Sequence, residues 1–171
     1  MASAYMSFWR ICLVLFLGFI LGFSIRTIYN LTAYQPCYWK HDPVIINCTG
    51  KAIKEETIQN AIKFWKEKGE HVYFYEYDYR ESICNKKESV YGFIVLKTQT
   101  EEILEKDVLA STSRESKLGI IQASTIIFKP GTHNLALLLE HELGHAFGYG
   151  HVKIPGHIMH PYYDMMGTKF W

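Results

Sequence analysis

The chain has 171 residues, 49% of them apolar and 15% aromatic, with 18 Lys+Arg against 17 Asp+Glu. That composition supports one globular domain with a sizeable core and excludes a disordered or fibrous chain. The net charge of +1 leaves no electrostatic footprint for nucleic acid, so no nucleic-acid partner is expected.

Charge is unevenly spread along the chain. Residues 1–33 carry only Arg10 and Arg26 and no acid, and residues 11–25 (ICLVLFLGFILGFSI) are uncharged. Fifteen residues rise about 22 Å as a helix, short of the roughly 30 Å hydrocarbon core of a bilayer. Phe8, Trp9 and the snorkelling stems of Arg10 and Arg26 extend the membrane-compatible stretch to residues 8–29. No pattern of small residues for cleavage follows the run, which favours an uncleaved anchor over a removed signal peptide. The expected organisation is a membrane anchor or signal segment over 1–33 and one folded domain over 34–171. The flanking charges do not orient the span.

Cysteine use leans toward an oxidising, extracytoplasmic side. Cys37 and Cys48 bracket a short polar loop that a disulfide would close, leaving Cys84 unpaired; free thiols are the plainer alternative. The expectation is a single-pass membrane protein with its domain outside the cytoplasm, or a secreted domain if the leader is cleaved. Asn30-Leu-Thr32 and Asn47-Cys-Thr49 fit the N-glycosylation triplet, a short pattern that carries little weight.

In the folded part, residues 43–47 read as a short strand. Over 53–68 the apolar Ile58, Ala61, Ile62 and Trp65 fall at helical spacing, with Glu55 and Glu56 near the start, lysines near the end and Gly69 as the stop. Residues 71–79 alternate, with Tyr73, Tyr75, Tyr77 and Tyr79 on one face of an expected strand, a half-buried sheet surface. Further strands are expected at 91–97 and 120–128, the latter ended by Pro130-Gly131, and a short one at 108–112. Residues 100–106 and 113–117 read as polar connectors.

The last third carries the chemistry. Six of the eight histidines lie between His133 and His160. A helix expected from about Asn134 holds His141-Glu142-Leu143-Gly144-His145. Spacing of i, i+4 puts both imidazoles on one helical face, where one Zn²⁺ can take a nitrogen from each at about 2.0 to 2.1 Å. Glu142 lies about 100° further around the helix and can reach a metal-side water without being a ligand. Gly148 can take φ > 0, end the helix and return His151 as a third ligand, leaving the fourth position open, as in a catalytic zinc site. Five fixed identities in eleven positions arise by chance on the order of once in three million starts.

His141-Glu142-x-x-His145-x-x-Gly148-x-x-His151, followed by Ile158-Met159-His160-Pro161, resembles the metzincin signature with its Met-turn, and the Met-x-Pro form is most similar to the matrixin branch. The resemblance implies an α+β zincin catalytic domain: a mixed twisted sheet, two main helices and a Met-turn. It implies a zinc endopeptidase whose extended polypeptide substrate lies along an edge strand, here 108–112, with Met159 as an apolar support beneath the metal. The chain departs from the family in carrying Val152 after His151 and in lacking a P-R-C-G-x-P-D latency segment. The connectors lack His- and Asp-rich metal loops, so one Zn²⁺ per chain is expected, and the C-terminal helix is expected to be absent or reduced.

The chemistry expected of that ligand set is hydrolysis by a zinc-activated water with Glu142 as general base. Tyr162 and Tyr163 are candidate oxyanion donors, with buried packing as the plainer reading. His133 reads as a cap or surface residue, His157 and His160 as ordinary turn polarity rather than a second metal site, and His41 and His71 as solvated. The alternative function is a membrane-anchored zinc-binding protein with a structural or adhesive role; Glu142 argues for the enzyme, since a structural zinc gains nothing from a base there.

Overall fold

The computed structural model describes residues 37–100, 105 and 107–171. Among them six strands form one sheet: β1 (Tyr38–Trp39), β2 (Val44–Asn47), β3 (Phe74–Glu76), β4 (Phe93–Thr98), β5 (Ala110–Lys117) and β6 (Ile120–Phe128). The helices are α1 (Glu55–Lys66), the single turn α2 (Glu81–Cys84) and α3 (Leu138–Ala146), with a 3₁₀ turn at Tyr163–Met165. The order across the sheet is β1-β6-β4-β2-β3, and β5 pairs with β6. All pairs are parallel except β5 with β6, so the sheet is mixed, as expected.

Central strands buried on both faces read as continuous apolar runs, and Ile94, Val95 and Leu96 of β4 are all inaccessible or nearly so. Val95 lies beside Ile46 in register, and both join Ile83 and Cys84 in a cluster under α2. On the other face α1 packs on α3: Ile58, Ala61 and Trp65 are fully buried, and the Trp65 indole donates to the Glu140 carbonyl at 2.7 Å. The periodicity at 53–68 therefore marked the correct face of a slightly shorter helix.

Three expectations of secondary structure change. The run at 71–79 forms only a three-residue strand, because its partner β2 is four residues long and nothing among the described residues pairs on its outer side; Tyr73 and Tyr79 are exposed rather than half-buried. The supposed connector 113–117 is strand. Leu118 and Gly119, at φ 54° and 77°, make a tight hairpin turn that lays β5 antiparallel on β6 over eight residues. As the edge of the sheet β5 needs no apolar face, so its sequence showed no alternation. The catalytic-motif helix starts at Leu138 rather than near Asn134; Asn134 instead ties the preceding turn to α1, accepting from the Lys54 amide and donating to the Ala52 carbonyl.

The disulfide is Cys48–Cys84, not Cys37–Cys48, and Cys37 is free. The chain after β2 folds α2 back over the sheet, which brings Cys84 beside Cys48. Asn47 is fully buried: its amide donates to the Gly50 and Tyr77 carbonyls and its oxygen accepts from Thr49, so this triplet is closed to glycosylation in the folded chain. Among the described residues no helix is long and apolar enough to cross a membrane; the expected span at 8–29 lies outside them.

Candidate metal centre and cleft

α3 begins after Leu137, a non-glycine residue at φ 64°, and buries Leu139 and Leu143 against the core. Its histidines follow from that placement. Gly144 is the point of closest approach: a Cβ there would run into the Met159 sulfur and lie 2.6 Å from Trp65. The Met-turn thus sits hard against the helix, with Met159 fully buried beneath it. The helix closes at Phe147, and Gly148 at φ 109° reverses the chain, where any Cβ would collide with the Cys37 carbonyl. This turn brings His151 back beside His145, and the close approach of Cys37 gives a second, steric reason for glycine at this position.

The Nε2 atoms of His141 and His151 each lie 3.1 Å from that of His145. On the far sides, His141 Nδ1 lies 2.8 Å from the Ile158 carbonyl and His145 Nδ1 2.8 Å from the Tyr149 carbonyl. A carbonyl only accepts, so in both rings Nδ1 carries the proton and Nε2 presents a bare lone pair. Two lone pairs at 3.1 Å cannot hydrogen-bond to each other. Burial pushes the His145 imidazole down to about 3, with further lowering by His141, and burial likewise lowers His141 and His151. Neutral rings with converging lone pairs are a donor set for a cation, and nitrogens about 3.3 Å apart are what a tetrahedral Zn²⁺ at 2.0 to 2.1 Å requires. The three histidines form the metal-competent group found among the described residues, and the backbone carbonyls behind His141 and His145 supply the orienting second contacts such ligands need.

Glu142 is 4% exposed and lines the cleft. Burial pushes its carboxyl up to about 7, and a hydrogen bond from Thr112 offsets part of that. Thr112 lies on β5, its Oγ1 2.5 Å from Glu142 Oε2 and 3.1 Å from the Glu142 carbonyl. Two residues along, on the same face, Arg114 donates to the His145 carbonyl at 2.8 Å. β5 is thereby fixed to α3 by its inward side chains, while its outer edge pairs with no strand among the described residues. Between them lies an open cleft of about 670 Å³, floored by His141, Glu142, His145 and His151.

Tyr162 and Tyr163 also line this cleft, at 65% and 38% exposure, so the buried-packing reading of these two residues is overturned. His133 is buried, with Nε2 2.8 Å from the Thr98 hydroxyl, rather than a surface cap. His157 and His160 are more than turn polarity. Both are buried, and each uses Nδ1 to accept a nearby amide proton, from Met159 at 3.0 Å and from Tyr162 at 3.2 Å, which fixes the Met-turn backbone. His41 and His71 are exposed, as expected. Thr112 and Arg114 were missed because no linear pattern announces them; their roles exist only once the hairpin turn sets the register of β5.

The matrixin family model matches residues 46–170, from the middle of β2 to the penultimate residue. No curated protein matches the chain significantly. A match over most of the chain, coinciding with a three-histidine centre built by a helix and the turn after it above a Met-turn, carries one conclusion: the chain belongs to the matrixin family, a family of zinc metallopeptidases.

Proposed function

We propose that the chain is a zinc-dependent endopeptidase that hydrolyses polypeptides bound in extended form along β5, with His141, His145 and His151 as the metal ligands and Glu142 as the general base. The observation that carries this reading is the pairing of three converging Nε2 lone pairs with a buried carboxylate one residue on, in a cleft bordered by an unpaired strand edge. When bound, Zn²⁺ acidifies a water and polarises the scissile carbonyl.

The protein groups supply the rest. Glu142, with one oxygen held by Thr112, keeps the other to take the proton of the attacking water; the hydroxide adds to the acyl carbon, and the proton passes to the departing amine nitrogen as the C–N bond breaks. The outer-edge N–H and C=O groups of β5, which pair with no strand among the described residues, offer a ladder to an extended substrate. Tyr162 or Tyr163, exposed in the cleft, is the donor proposed for the carbonyl oxygen as it gains charge.

We further propose that residues 8–29 anchor the chain in a membrane with the domain extracytoplasmic, a secreted domain being the alternative. The Cys48–Cys84 disulfide supports an oxidising compartment.

The test is metal content by mass spectrometry together with cleavage of an unbiased peptide library by wild type and Glu142→Gln. One zinc per chain, with cleavage lost in the variant, is expected. One zinc with cleavage by neither protein would favour the structural or adhesive reading, and no zinc in a folded chain would overturn the metal assignment.

A further inference from the structure

Because β1, β2, β3, β4 and β6 are mutually parallel, their N-terminal ends share one end of the sheet, and antiparallel β5 brings its last residue to the same end. That end carries Tyr38 at 59% exposure, Tyr73 at 80%, Phe74 at 56%, Tyr91 at 71% and Leu118 at 93%. These residues come from separate segments of chain and span the sheet from β1 to β3. Topology alone gathers them.

They also differ in depth. The Gly92 amide donates to the Gln122 carbonyl at 2.8 Å and the Tyr38 amide to the Gly119 carbonyl at 3.1 Å. The turn at Leu118 and Gly119 therefore stands about three residues, or about 10 Å, beyond the start of β4. Leu118 occupies a left-handed turn position, φ 54°, that hairpins ordinarily give to Asn, Asp or Gly. The residue has a backbone cost and almost no burial within the domain to offset it. Lys117 precedes it.

We propose that this end of the sheet rests on a lipid bilayer, with Leu118 and its neighbour Tyr38 inserted deepest and Tyr73, Phe74 and Tyr91 at headgroup level. The inference rests on the membrane attachment proposed above. A tip of Leu118 and Tyr38 with further exposed aromatics set back from it, and a lysine beside it, suits the apolar-to-polar gradient of a membrane interface. Connectivity selects a bilayer over a protein partner. The chain enters β1 at this end, and nine residues lead from Tyr29, the last of the membrane-compatible stretch, to Tyr38. Fully extended they span at most roughly 30 Å, so β1 is tethered close to the membrane surface. Thr112 lies six residues back along β5 from Leu118, which stands the cleft about 20 Å from the tip.

The test uses the full chain reconstituted in vesicles of phosphatidylcholine and phosphatidylserine, with the photoreactive residue p-benzoylphenylalanine placed at Leu118, at Tyr91 or, as a control, at Tyr79. Tyr79 is 49% exposed and lies past the opposite end of β3. Flotation is scored first, then adducts by mass spectrometry after illumination. Phospholipid adducts at 118 and 91, several-fold above those at 79, are expected. A chain that floats without such an excess keeps its attachment and overturns the docking of this end. Cross-links from 118 and 91 to a second chain overturn it in favour of self-association, and a chain that does not float removes the attachment and this inference together.

Discussion

Replacing both Cys48 and Cys84 by alanine tests the pairing that the sequence misassigned. The two are 36 residues apart in sequence, and the bond joins the end of β2 to α2. Cross-linking removes conformations from the unfolded chain, and for a loop of this length the chain-entropy estimate is about 4 kcal/mol at 25 °C. Cys84 also sits in the Ile46, Ile83 and Val95 cluster, so loss of its sulfur adds a small packing term of the same sign. Against a total of about 5 to 15 kcal/mol for a domain, this is a large fraction. Urea unfolding followed by circular dichroism, with a slope near 2 kcal/mol per molar, should show the midpoint falling by about 2 M. Wild type in reducing agent should move most of the way to the same position, short of it by the packing term. Peptide mapping that finds Cys37 linked to Cys48, or a midpoint that reduction does not move, would refute the reasoning.

Other outcomes follow from the site. Gly148→Ala combines a left-handed φ of 109° with a collision at the Cys37 carbonyl, and should cost about 2 to 5 kcal/mol in the same urea assay while weakening zinc retention through His151. Thr112→Val removes a hydrogen bond to a carboxylate worth about 1.5 to 3 kcal/mol, so kcat should fall about tenfold or more with zinc content unchanged; Thr112→Ser should retain most of the rate, and equal losses in both variants would remove the hydroxyl from the account. For the metal-stripped protein, the lowered His145 sets the sign of the pH dependence. The unfolded imidazole takes up a proton as pH falls through 6.5 while the folded one stays neutral to about 3, so stability is full above 6.5 and is lost on acidification across that window. Between pH 7.5 and 5.5 this is about 1 kcal/mol from His145 alone, with His141 and His151 shifted in the same direction. Glu142, raised to about 7, takes up a proton in the folded state over the same window and acts with the opposite sign. The measurement is therefore made on Glu142→Gln, where a flat profile would contradict the neutral-ring assignment.

What the sequence disclosed tracks how local each feature is. α1 and β6 declare themselves because each carries its apolar pattern within its own segment: Ile58, Ala61 and Trp65 in the helix, the run at 120–128 in the strand. The histidine constellation was readable because helix geometry and one glycine turn suffice to assemble it. β5 was misread because an edge strand of serines, threonines and charges is defined by its partner and by the Leu118-Gly119 turn, not by its own periodicity. The disulfide failed for a related reason: Cys37 is near Cys48 in sequence, but the fold carries Cys84 back across the sheet. The burial of His133, His157 and His160 was equally hidden, since each depends on a backbone or hydroxyl partner supplied by tertiary structure.

An edge left open to extended chains invites unwanted ones, and the composition of β5 answers that hazard. Four of its eight residues are Ser or Thr, Arg114, Glu115 and Lys117 are charged, and its register slips between Glu115 and Ser116. Such a strand offers no dry apolar face for a second sheet, and the slip bends it away from a flat template, so copies of the chain cannot readily stack into fibres. If substrates lie along β5 as proposed, the same poverty of side-chain grip leaves them held chiefly by their backbone. Affinity should then grow with the length of peptide laid along the edge, and the two shorter fragments left after a cut would let go more easily than the chain that entered.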